Sequence, residues 1–166
     1  MRRIFFAFCF LFCFLQISES FAETVKYYQK VSSRLKYITV NINNVPLEMV
    51  FDTGASHIVL NSEGIKKLGI AKFGRRLKGE SANGSVESYS FIAESVRVGS
   101  IELKDVEIHY VPKSAMNLLG GTFLSNFDYF VSERTGAITF FPFTDAQPQV
   151  KDQYLFFHIN EKGKQN

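Results

Sequence analysis

Apolar and polar residues alternate with a period of two along most of this chain, in short runs separated by turn residues. Over residues 34–42, Leu35, Tyr37, Thr39 and Asn41 interleave with Lys36, Ile38, Val40 and Ile42, the pattern of a strand with one apolar face. Asn43-Asn44 is a two-residue turn signal, and residues 45–51 form a second apolar run, so the pair predicts a hairpin. Residues 57–60 are short and apolar. Ser62 can cap a helix running to Leu68, with Gly69 marking its end.

Further along, residues 75–80 and 85–98 flank Asn83-Gly84, a dipeptide suited to tight hairpins because it tolerates positive φ. Gly99-Ser100 makes another turn. Residues 101–111 then alternate as Ile101 and Leu103, followed by Val106 and Ile108. Residues 122–127 predict a short helix, and residues 129–132 and 137–141 form a last hairpin around Thr135-Gly136. Many short strands and at most two short helices describe an all-β barrel-like or sandwich domain. The chain shows neither internal repeats nor low-complexity segments.

The two ends depart from this pattern. Arg2 and Arg3 precede an unbroken apolar run over residues 4–15, and Ser20-Phe21-Ala22 offers small residues where a signal peptidase reads. That order predicts a secretory signal over residues 1–22, exported to the periplasm or medium. The run is short for a membrane span, so membrane contact is expected only if the segment is retained as an anchor. Residues 23–33 are a polar arm, either a docking strand or a loose lead-in. The main domain is expected over residues 34–143. A polar tail follows over residues 144–166, carrying Pro148 and a strand-like apolar patch from Tyr154 to Ile159.

Composition narrows the classes further. Both cysteines, Cys9 and Cys13, lie in the signal, so the exported domain must hold together by packing rather than disulfides. The formal net charge of +3 comes without a Lys/Arg stripe, and no nucleic-acid partner is implied. His57, His109 and His158 are spread without metal-ligand spacing and read as structural or surface residues, with no zinc site. Asn83-Gly84-Ser85 is formally a glycosylation sequon, but the hairpin already accounts for its Asn-Gly.

The informative segment is Val50-Phe51-Asp52-Thr53-Gly54-Ala55-Ser56. A carboxylate at the end of a buried strand is costly unless hydrogen bonds compensate it. Gly54 frees its backbone N–H to approach Asp52, and the Thr53 and Ser56 hydroxyls are near enough to donate. Together they can cradle a reactive carboxylate. Taken alone, Asp52-Thr53-Gly54 could equally be an ordinary turn after a strand.

The segment resembles the active-site signature of aspartic proteases, in which an apolar pair precedes Asp-Thr/Ser-Gly. Some sixty residues on, those families carry two apolar residues and a Gly, matched here by Leu118-Leu119-Gly120. Between them, Glu80-Ser81-Ala82-Asn83-Gly84-Ser85 looks like a flap hairpin. The combination is most similar to the bacterial retropepsin-like (clan AA) group, over roughly residues 36–141. Gly121 departs from that pattern, standing where a larger residue is usual, and the C-terminal patch has no counterpart.

The resemblance implies a single-lobed, all-β closed barrel of the acid-protease type with one or two short helices. It implies an aspartic endopeptidase acting on peptide or protein substrates, with Asp52 catalytic and no cofactor or metal. Thr53 would brace the catalytic loop, Gly54 would admit substrate backbone, and Ser56 would hydrogen-bond the carboxylate. Residues Ser81, Ala82, Asn83 and Gly84 would belong to the flap. This chemistry needs two carboxylates sharing one proton. The chain carries one Asp-Thr-Gly, and Asp128 lacks the flanking glycine and hydroxyls. The second carboxylate is therefore expected from a second copy in a homodimer. The competing readings are a non-catalytic peptide-binding module of the same fold, and a structural envelope protein.

Overall fold

The computed structural model describes residues 22–81 and 84–143. The proposed signal up to residue 21, Ala82, Asn83 and the tail with Tyr154 to Ile159 and His158 lie outside the described residues. Ten strands and two short helices make up the described chain. They are β1 (Glu23–Lys26), β2 (Tyr37–Ile42), β3 (Val45–Phe51), β4 (Ile58–Leu60), α1 (Ser62–Leu68), β5 (Arg76–Ser81) and β6 (Gly84–Val98). After these come β7 (Ile101–Tyr110), β8 (Leu118–Leu119), α2 (Gly121–Leu124), β9 (Phe127–Ser132) and β10 (Ala137–Pro142).

Local sequence accounts for the turns. Asn43 and Asn44 have φ of 48° and 65°, the left-handed pair that a two-residue hairpin between β2 and β3 requires. In the β5–β6 hairpin Ser81 faces Gly84. Gly84, with φ of 104°, therefore begins the returning strand rather than sitting at the centre of the turn. Helix α1 starts one residue earlier than Ser62 suggested: Asn61 is the cap, its side-chain oxygen accepting from the Gly64 N–H at 2.9 Å. Gly69 closes the helix in the left-handed conformation, as expected.

Helix α2 is shorter than the expected 122–127. The Asn126 amide donates to the carbonyls of Thr122 and Phe123, and the Ser125 hydroxyl donates to that of Gly121. These bonds satisfy the last turn and free Phe127 to open β9.

Strands β2-β3-β8-β4-β7-β6 follow one another as hydrogen-bonded neighbours, and β6 pairs back onto β2 through Asn41 with Arg97 and Ile42 with Val96. The barrel is closed. Its interior is filled by Ile38, Val40, Ile42, Leu47, Met49 and Ile58, among others, each at most 1% exposed. The long β6–β7 hairpin changes its inward face midway: Phe91 and Ala93 are buried on one parity, Val96 and Val98 on the other. On β7 the switch from Leu103 to Val106 occurs at Asp105, whose φ is 52°. This explains the two phases of alternation in the sequence.

A second sheet, ordered β1-β10-β9, packs against one end of the barrel. The polar arm thus begins as a docking strand: Glu23–Lys26 pairs antiparallel with β10. The contact with the barrel is aromatic. Fully buried Phe140 meets Phe51, Phe123 and Phe127 edge-on at centroid distances of 6.3, 6.1 and 5.9 Å.

Candidate active site

Strands β3 and β4 are consecutive in the chain but are not neighbours in the sheet. Strand β8 lies between them, parallel to β3 (Val50 with Leu118, Phe51 with Leu119) and antiparallel to β4 (Val59 with Leu118). Residues 52–57 must therefore arch over the end of β8. This topology brings Asp52-Thr53-Gly54-Ala55-Ser56 and Leu118-Leu119-Gly120 into one cluster.

Backbone bonds fix the arch. The Asp52 N–H donates to the Leu119 carbonyl at 3.1 Å, and the Gly121 N–H donates to the Ala55 carbonyl at 2.8 Å. The Ile58 N–H donates to the Thr122 hydroxyl oxygen at 2.9 Å. Close approach here needs glycine. A Cβ on Gly120 would lie 2.2 Å from the His57 carbonyl oxygen, and one on Gly121 would lie 2.6 Å from that of Ser56. The Gly121 departure noted in the sequence is thus a packing requirement of this loop.

The half-buried Asp52 carboxylate accepts the Gly54 N–H at 2.9 Å. Among the described residues, the expected bonds from Thr53 and Ser56 to this carboxylate are not formed, and both residues are exposed. Thr53 borders a shallow hollow of about 330 Å³, lined also by Leu124, Phe127, Tyr129 and Phe143. Ser81 and Gly84 end the edge hairpin β5–β6 and are not part of the cluster.

Two features went unread in the sequence. Asn117 is a junction: its carbonyl accepts the Val50 N–H at 2.9 Å, its Oδ1 accepts the Asn61 N–H at 3.0 Å, and its amide donates to the Glu48 carbonyl at 3.2 Å. It ties β3, β8 and the cap of α1 together. The polar residue just before Leu118-Leu119-Gly120 was the available signal.

The second is a correction. His57 and His109, far apart in sequence, stack face to face with centroids 3.9 Å apart, 12° from parallel. His109 Nε2 is buried, lies 3.6 Å from a Glu107 carboxylate oxygen, too far for a hydrogen bond, and has no hydrogen-bond partner among the described residues. Burial, then the neighbouring His57, holds the His109 imidazole below its ordinary range, while Glu107 pulls the other way. Period-two spacing of Glu107 and His109 was visible; the proximity of His57 was not.

With this geometry established, comparison with other proteins is decisive. The profile of the family described as gag-polyprotein putative aspartyl protease matches residues 38–126, more than half of the chain and both halves of the cluster. The chain belongs to this retropepsin-like family. A crystal structure of a retropepsin-like aspartic protease from Rickettsia conorii is 26% identical, with a TM-score of 0.59, covering 70% of this chain and 98% of that one. EIAV protease complexed with the inhibitor HBY-793 is 23% identical, with a TM-score of 0.46, covering 59% and 92%. An uncharacterised protein of Rickettsia prowazekii (strain Madrid E) is 34% identical over 99 residues. That match takes in 57% of this chain but 42% of the relative's length.

Proposed function

We propose that the chain is an aspartic endopeptidase whose active form is a homodimer, with one Asp52 from each copy. The observation that carries this reading is the single Asp52-Thr53-Gly54 turn ending buried β3. Its carboxylate is oriented by Gly54 in a chain of this family. With two such carboxylates side by side, one proton is shared between them because both cannot ionise cheaply. The ionised member takes a proton from water as that water attacks the peptide carbonyl. The protonated member donates to the carbonyl oxygen.

The protein surface supports a second copy near the arch. Phe143, 57% exposed, lines the hollow beside Thr53, and Phe130 and Phe141 are 63% and 39% exposed on the β9–β10 sheet. Register puts Phe130 and Phe141 on its outer face, opposite the buried Phe140. Thr53, exposed and with no side-chain hydrogen bond among the described residues, is placed to bridge to a partner loop. The hairpin ending at Ser81 and Gly84, with Ala82 and Asn83, serves as the flap.

The reading is tested by cleavage of a peptide library between about pH 3 and 8, with wild-type and Asp52→Asn chains. The wild-type should cleave with a bell-shaped profile on the acid side of neutral, and Asp52→Asn should fall to background while remaining folded. Undiminished cleavage by the variant would remove Asp52 from its role. Residues 1–22 support export, so protein recovered from periplasm or medium should begin at Glu23. Recovery only as a full-length, detergent-extracted product would favour an anchor. Among the described residues no helix is long and apolar enough to cross a membrane.

A further inference from the structure

We propose that His57, Glu107 and His109 bind a divalent transition-metal ion of the zinc type, at the point where the Asp52 arch enters β4. Strands β4 and β7 run parallel with Ile58 beside Ile108 and Val59 beside His109. Glu107 and His109, two apart on β7, share a face, and the same register brings His57 alongside Glu107 on that face. The three side chains offer two imidazole nitrogens and a carboxylate oxygen, all within 4.8 Å of one another. Two nitrogens and one oxygen form a donor set that zinc takes with a fourth position open.

The His109 Nε2 is the sharper sign. It is buried and has no hydrogen-bond partner among the described residues, although buried imidazole nitrogens are ordinarily satisfied. A cation between the two rings and Glu107 would complete it. Tetrahedral coordination puts donor atoms roughly 3.3 Å apart, so the stacked rings need only tilt and Glu107 swing inward. Arg75 is near enough to act on His109 and would oppose a cation, while the Glu107 carboxylate favours one. The ion would tether the exit of the arch to β7, because the His57 carbonyl packs directly against Gly120.

The test uses the full chain without a histidine tag, stripped of metal, titrated with Zn²⁺ by calorimetry and with Co²⁺ by visible absorption. One ion should bind per chain, and Co²⁺ should give a tetrahedral d–d band. Because the chain has three histidines, imidazole NMR adds a readout that needs no variant. Zn²⁺ should shift His57 and His109 resonances and leave His158 unmoved. His57→Ala and Glu107→Gln, checked for fold by circular dichroism, should each weaken binding at least tenfold. No binding at micromolar metal, shifts confined to His158, or unchanged affinity in both folded variants would overturn the proposal.

Discussion

Gly121 donates its backbone N–H to the Ala55 carbonyl at 2.8 Å, with its α-carbon face set against Ser56. Beside it, Gly120 is pressed against the carbonyls of His57 and Ala55. Backbone thus packs on backbone, and neither side can yield as a flexible side chain would. Gly120→Ala should cost about 1–3 kcal/mol of stability, as overpacking does. It should also reduce activity beyond that loss by displacing the Asp52 arch. Urea denaturation and peptide cleavage on the same preparation check both parts; a variant with unchanged midpoint and rate would show that the arch tolerates the displacement.

Phe140 joins the outer sheet to the barrel and touches Phe51, the residue before Asp52. Phe140→Ala should destabilise the domain by about 3–5 kcal/mol. Phe130→Ala, on the exposed face of the same sheet, should leave the folded monomer within about 0.5 kcal/mol of wild-type while weakening self-association. Chemical denaturation and sedimentation read the two effects separately. Equal loss of monomer stability in both variants would contradict the assignment of inner and outer faces.

The N-terminal strand should loosen in acid. Glu133 accepts from the Tyr27 hydroxyl at 2.7 Å and pairs with Lys36 at 2.8 Å. Lys36 first, then Tyr27, holds its carboxyl below the ordinary 4.5. A carboxyl depressed in the folded state stabilises fully above its unfolded value and loses that contribution as pH falls through its folded value. These groups are exposed, so the effect is local and modest. Hydrogen exchange of the Tyr27 amide, which bonds to the Gly136 carbonyl, should lose protection, relative to the barrel core, between about pH 5 and 3. Glu133→Gln should remove that pH dependence; a dependence kept by the variant would assign it elsewhere.

What could be read from the sequence was what is encoded locally. Asn43-Asn44 states its own turn, and the alternation of Ile38, Val40 and Ile42 states its own face. Asp52-Thr53-Gly54 is contiguous and needs no partner to be noticed. The closure of β6 onto β2 and the insertion of β8 between β3 and β4 are long-range pairings, and no local pattern reports them. The consequences of those pairings were hidden with them: the need for Gly121, the junction at Asn117, and the stacking of His57 on His109. The cap of α1 was missed for a smaller reason. Asn61 and Ser62 are both good caps, and only the observed bond to the Gly64 N–H chooses between them.

The central claim is that one active site is built from two chains, and subunit mixing tests it most directly. Wild-type and Asp52→Asn chains are combined at fixed total concentration, allowed to exchange, and assayed as the wild-type fraction is varied. If each site needs Asp52 from both copies, activity follows the square of that fraction, so an equal mixture retains about one quarter of wild-type activity. Activity that falls in direct proportion, leaving about one half, would mean that each chain works alone and would contradict the account.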